Sequence, residues 1–353
     1  MCDELNKSQV KKAGRNIRKG IGDLEAAKKV IQNFRAAHAI PMTSIELLVS
    51  EHLKMLGIRK DAILVTRLKR LPTIISKLTR PSLDGGLSQN AIDITRMQDI
   101  GGCRVIVQNK ADLLKLNQSL DEADTFHEVK TTEYLQQARD TGYRGIHKIF
   151  NYKNKVLNDP NRNLRIELQI RTHKQNVWAT GVEVIDILKQ TTLKTEPLSA
   201  CPKWKQFFVL LSEYIAIIDG FVPKEQVSKE LAERYRNSFH ELAEELELPA
   251  ILKGFNRGIS LADKEALRNS KYLLIRWCQS STNQDGHLEW FSNEQQAFQR
   301  YAEAEAETDV DALLIATNDL NMLSEAYPNY LGDTSEFLRL AFEATFAWPS
   351  NDE

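Results

Sequence analysis

The clearest pattern in the chain is the alternation at residues 164–171, LRIELQIR. Leu164, Ile166, Leu168 and Ile170 take turns with Arg165, Glu167, Gln169 and Arg171. A strand's period of two puts the apolar four on one face and the polar four on the other. The segment therefore predicts a strand with a core on one side and a carboxylate among cations on the other. Shorter apolar runs predict strands at 62–69, 103–107, 145–152, 271–277 and 311–316. Helical spacing predicts helices over 5–37, 43–57, 72–80, 111–124, 174–190, 203–219, 225–247, 292–307, 319–326 and 334–346. Thr43 with Glu46, and Ser292 with Gln295, have the spacing of capping boxes. Pro72 suits a first helical turn, and Pro81, Gly85, Gly86 and Asn90 make 81–92 a loop. The mixture of elements predicts an α/β (α+β) fold. The β-α-β-α order near the end predicts a small C-terminal α/β unit of its own. The expected division is residues 1–200, a helical extension at 201–260, and 261–353.

Of the 353 residues, 42% are apolar and 27% charged, an ordinary globular composition. The longest apolar runs, such as Phe207 to Leu211, are far below the roughly 20 residues that span a bilayer. No apolar leader follows the N-terminus. No membrane association and a cytoplasmic location are expected. Cys2, Cys103, Cys201 and Cys278 form no C-x-x-C pair, which argues against structural zinc and a disulfide framework. The net charge of -1 conceals a gradient. Residues 1–80 hold 17 Lys and Arg against 7 Asp and Glu, whereas residues 221–353 hold 12 against 24. A basic start suits phosphates; an acidic end suits something else, or both are solvated helical faces.

Four segments carry candidate chemistry, and each also has a plain structural reading. Glu167 sits on the alternating strand, which taken alone reads sooner as a solvent-facing strand of an antiparallel sheet. Asp99 precedes Gly101-Gly102 and Arg104 on a short strand, where turn chemistry is the simple alternative. Asp99 and Glu167 together would supply two hard oxygens, the donor set Mg²⁺ takes alongside substrate phosphates. Arg67 and Lys69 share a strand face, and Lys77 and Arg80 share a helix face. These cations would hold a triphosphate, or they are snorkelling surface pairs. Thr141-Gly142-Tyr143-Arg144-Gly145-Ile146-His147-Lys148 combines a ring for stacking with phosphate donors. It reads otherwise as a hairpin turn with an aromatic plug.

In order and content, these segments resemble the synthetase domain of the RelA/SpoT alarmone synthetases, above all the short single-domain members. The matching residues are R-L-K at 67–69 with Lys77, D-I-G-G-C-R-V at 99–105, G-Y-R-G-I-H at 142–147, and E-L-Q-I-R-T at 167–172 with Trp178-Ala179. The resemblance covers about residues 40–190. It implies a nucleotidyltransferase-like mixed sheet flanked by helices, with residues 1–200 as the synthetase domain. The implied reaction is Mg²⁺-dependent transfer of the ATP pyrophosphoryl group to the 3′-hydroxyl of GDP or GTP, with release of AMP. By resemblance, Arg67, Lys69, Lys77 and Arg104 bind ATP, Arg80 being added on helical spacing. Asp99 and Glu167 hold Mg²⁺ and are catalytic. Tyr143 stacks on the acceptor base, and Arg144, His147, Lys148, Gln169 and Arg171 serve the acceptor side.

The chain departs from the family pattern at Arg70, in the Q-Q-A-R-D-T stretch before Gly142, and after Trp178-Ala179, where Glu183 and Asp186 stand in a looser pattern. These departures fall mostly on the acceptor side. They leave three acceptors open: GDP or GTP, an adenosine nucleotide, and the 3′-CCA end of tRNA, as in toxin or phage-defence members. An inactive nucleotide-binding regulator and a plain RNA-binding module are the non-enzyme alternatives. The acidic tail is expected either to restrain the enzyme by covering a cationic cleft, through a regulatory ligand or protein, or to pack or dimerise as an accessory domain, giving a homo-oligomer.

Overall fold

In the computed structural model of the chain the described residues are 6–80, 92–122, 127–152, 164–189, 202–246, 270–278, 287–307, 310–316 and 335–351. The basic N-terminal segment forms two helices rather than one, α1 (Lys7–Lys19) and α2 (Leu24–Ala36). Gly20 takes a left-handed φ of 62° after α1, and the Asp23 carboxylate accepts from the Ala26 amide to start α2. Helix α3 (Ala39–Met55) begins a turn before Thr43. The Thr43 hydroxyl donates to the Ala39 carbonyl, so Thr43 and Glu46 lie inside the helix and do not cap it.

Then follow β1 (Ile63–Leu68), α4 (Leu71–Thr79), β2 (Gly101–Val107), α5 (Lys110–Asp121), β3 (His127–Tyr134), β4 (Gly145–Asn151), β5 (Arg165–Thr172), α6 (His173–Lys189), α7 (Pro202–Ile218) and α8 (Lys229–Glu245). The chain ends in β6 (Tyr272–Cys278), β7 (His287–Phe291), α9 (Glu294–Ala306), β8 (Val310–Ala316) and α10 (Ser335–Phe346). Asn293, not Ser292, caps α9 by accepting from the Gln295 and Gln296 amides. The expected loop at 81–92, the helix at 319–326 and the boundaries near 200 and 250–270 lie outside the described residues or at their margins.

The strands form one mixed sheet in the order β3-β4-β5-β2-β1-β8-β6-β7. Only the β2–β5 pair is parallel among the described strands. The strands of the expected C-terminal unit join this sheet through β8, which lies antiparallel to β1 with Thr66 opposite Ala316.

The alternation in β5 works as the sequence predicts. Ile166, Leu168 and Ile170 are fully buried with Cys103 and Val105 of β2, under α3 and α5. Burying each of these side chains contributes about 1.5–3 kcal/mol. The other sheet face, bearing Glu167 and Gln169, is left to a cleft. On one flank α1, α2 and α4 share a core through Ile31, Phe34, Ile74 and Leu78. On the other, α6, α7, α8 and α10 share an aromatic core of Trp178, Trp204, Phe207, Phe208, Phe239 and Phe337. Gly181 makes room for this packing, because a Cβ there would stand 2.2 Å from the Phe337 ring. No described helix is long and apolar enough to cross a membrane.

Candidate active site

The cleft has a volume of about 640 Å³ and gathers most of the predicted residues. Arg67 at the end of β1, Lys69 just beyond it, Lys77 of α4, Asp99 before β2 and Arg104 on β2 line it. So do Tyr143, His147 of β4, and Glu167, Gln169 and Arg171 of β5. Strand register explains the convergence. Gly102 lies between Arg67 on β1 and Glu167 on β5, and Arg104 lies beside Gln169. With no side chain at 102, the floor between the cation and the carboxylate stays open.

One wall is built on Asp99. The Lys69 ammonium donates to one carboxylate oxygen at 2.8 Å, and the Lys77 ammonium donates to both at 2.9 Å. Burial pushes the Asp99 carboxyl up, but the two ammoniums outweigh it and bring its pKa down to about 2. The other wall is a closed ring of hydrogen bonds around Glu167. His147 Nδ1 lies 2.9 Å from Glu167 Oε1, and the Gln169 amide donates to Oε2 at 2.9 Å. The Tyr143 hydroxyl lies 2.6 Å from His147 Nε2. Arg171 closes the ring, donating to the Tyr143 hydroxyl at 3.3 Å and to Gln169 Oε1 at 2.8 Å. An ionised Glu167 can only accept, so His147 donates to it from Nδ1; in the neutral tautomer that leaves Nε2 to accept from the Tyr143 hydroxyl, and every hydrogen of the ring then points toward Glu167. Burial pushes Glu167 up, but His147 and Gln169 hold it below the ordinary carboxylate range. The negative charge of Asp99, on the same cleft, opposes that shift.

Three predicted residues do not line the cleft. Arg144 is buried away from it. Its guanidinium donates to Ser212 Oγ, to the Leu135 and Gln136 carbonyls and to Glu213, so it fastens the turn to α7. Lys148 neighbours His147 on β4 and therefore faces the opposite side of the sheet. There its ammonium meets Asp121 and Thr131. Arg80 follows the last turn of α4 and is exposed. The turn before β4 also depends on Gly142, whose φ is 88° and whose added Cβ would lie 3.0 Å from the Phe208 carbonyl oxygen.

The cleft also holds Arg96 and Arg139, which the sequence reading did not select, and Thr141 and Trp178, which it placed in motifs without a role. The Arg139 guanidinium lies 4.3 Å from the Tyr134 ring centre and 5.6 Å from that of Tyr143. Arg139 stands within the Q-Q-A-R-D-T stretch, and a cation three residues before Gly142 was the available signal. Among the described residues, none beyond Trp178 lines the cleft. Part of the acidic tail, on which the expected restraint or packing rests, lies outside the described residues.

A cleft with two carboxylates, a cationic wall and a tyrosine with guanidiniums near its ring is equipped to hold a polyphosphate against a second, ring-bearing substrate. Among the described residues no group of three or more His, Cys, Asp or Glu stands together as a metal site. Two carboxylates facing one cleft nevertheless fit Mg²⁺, which completes its shell with phosphates and water.

Residues 66–191 match the family described as the region found in RelA / SpoT proteins. The chain is 29% identical over 114 residues to GTP pyrophosphokinase YjbM of Bacillus subtilis, covering 32% of this chain and 51% of that protein. It is 28% identical over 119 residues to GTP pyrophosphokinase YwaC of the same organism, covering 33% and 53%. The chain thus spans about half the length of these curated relatives. Among solved structures, small alarmone synthetase 1 from Bacillus subtilis bound to pppGpp is 21% identical with a TM-score of 0.44, covering 54% of this chain and 94% of that one. The residues that line the cleft all fall within the segment 66–191 that matches the RelA / SpoT family region.

Proposed function

We propose that the chain is a diphosphotransferase that moves the pyrophosphoryl group of ATP to the 3′-hydroxyl of GDP or GTP and releases AMP. The observation that carries this reading is the placement of Asp99 and Glu167 on one cleft, with lysines on the first and a tyrosine-bearing network on the second.

Transfer forms a bond from the acceptor oxygen to the β-phosphorus and breaks the bond between the β-phosphorus and the oxygen leaving with AMP. Such chemistry needs in-line placement and neutralised charge more than covalent help. Arg67, Lys69, Lys77 and Arg104 would take the ATP phosphates. An arriving triphosphate competes with Asp99 for Lys69 and Lys77, and the carboxylate they release becomes available to a cation. Asp99 and Glu167 would hold Mg²⁺, which when bound neutralises charge on the phosphate oxygens. Glu167 is held ionised, which suits it to ligating a cation and accepting the acceptor's hydrogen bond. Tyr143, kept upright by His147 and Arg171, would stack on the acceptor base.

The test offers labelled ATP to the purified chain with GDP, GTP and deacylated tRNA in parallel. Label on the guanosine nucleotides together with AMP release is the expected result. Label on tRNA alone would reject the guanosine acceptor, and no AMP release with any acceptor would reject the transferase.

A further inference from the structure

Lys69 is held at three points, and only one of them belongs to the cleft. Its ammonium meets Asp99 at 2.8 Å. Its backbone amide donates to the Ile100 carbonyl at 2.7 Å. Its carbonyl accepts from Arg35 Nε at 2.6 Å. Arg35 comes from α2, before the RelA/SpoT-type region, and is 2% exposed. Its guanidinium reaches the Tyr301 hydroxyl and lies 4.5 Å from the Tyr301 ring centre. Tyr301 comes from α9, after that region, and is 1% exposed among Leu274, Ala297 and Ala304. The same C-terminal unit lays β8 against β1, three residues before Lys69.

We propose that Arg35 and Tyr301 are positioning residues for the ATP side of the cleft, through which the C-terminal unit fixes the backbone at Lys69 and so the Lys69–Asp99 pair. A guanidinium is a rigid planar fork, and one edge cannot shift without moving the other. Tyr301 sets the fork, the fork sets the Lys69 carbonyl, and the strand end that carries the ammonium follows. Neither residue lines the cleft, so their effect on nucleotide is indirect. The proposal rests on the reading of this wall as the ATP side.

The test uses the full chain with Tyr301→Phe, which removes only the hydroxyl and keeps the ring under the guanidinium, and Arg35→Lys, which keeps charge and loses the fork. Three quantities are measured: amide hydrogen exchange in the peptide spanning Lys69, the Kd of a non-hydrolysable ATP analogue, and the KM of ATP and of the acceptor. Arg35→Lys is expected to weaken the analogue and raise the ATP KM about tenfold, the scale at which losing a supporting partner usually acts. Tyr301→Phe is expected to act in the same direction, about threefold. Both should speed exchange at Lys69 and leave the acceptor KM unchanged. Unaltered exchange at Lys69, or ATP and acceptor weakened alike, would overturn the proposal. A wild-type chain that releases no AMP would refute the transferase while exchange at Lys69 still decides the clamp.

Discussion

The two walls of the cleft hold their carboxylates by different physics. Asp99 is gripped by two ammoniums on flexible stems, from the end of β1 and from α4. Lysines are compact charges that trade one anion for another, so on the proposed reading this wall exchanges its carboxylate for arriving phosphate. Glu167 belongs to a ring of fixed planar groups, His147, Tyr143, Arg171 and Gln169, with each hydrogen bond supporting the next. This wall is made to stay. On the proposed reading, the contrast teaches that a donor with many charges and an acceptor with a face to be read call for opposite designs within one cleft.

Removing either carboxylate tests both walls at once. Asp99→Ala and Glu167→Ala should each lower transfer on the order of a thousandfold, about 4 kcal/mol of barrier, while circular dichroism shows the fold retained. Full activity in either variant would remove that residue from the chemistry.

Substitution within one wall should then separate the substrates. Lys77→Ala is expected to raise the ATP KM about tenfold with the acceptor KM unchanged; equal change in both would merge the walls. The same variant alters acid stability. A carboxyl whose folded pKa lies near 2, below its ordinary 3.8, contributes stability that is complete above the ordinary value and lost as pH falls toward 2. Lys77→Ala should flatten that acid limb in denaturant titrations at successive pH values. Tyr143→Phe keeps the ring and breaks the hydroxyl's two bonds, so the acceptor KM should rise about fivefold with little change for ATP.

Much of this cleft was legible in the sequence because strand parity is a rigid rule. LRIELQIRT placed Glu167 and Gln169 opposite the core, and G-G-C-R-V placed Arg104 on a strand; the register of the fold sets that strand beside β5. Parity also carried a warning that went unread: His147 and Lys148 are adjacent on a strand and cannot serve the same side. Arg144 was illegible for another reason. Its partners Ser212 and Glu213 lie on α7, and nothing local marks a guanidinium as bound for a distant helix. Strand β3, HEVKTTEY, escaped because it is the polar edge of the sheet, where one row of neighbours is missing and apolar alternation is weak. The capping boxes at Thr43 and Ser292 failed because side-chain spacing cannot tell a helix start from the interior of a longer helix, or from a cap one residue on.

The most direct test of the central claim, that Asp99 and Glu167 work on one transferring group, is a double-mutant cycle on pyrophosphoryl transfer with Asp99→Asn, Glu167→Gln and the combined variant. Residues acting as a unit are strongly non-additive, so the combined variant should be no slower than the slower single one. Losses that multiply would show two independent sites and contradict the account.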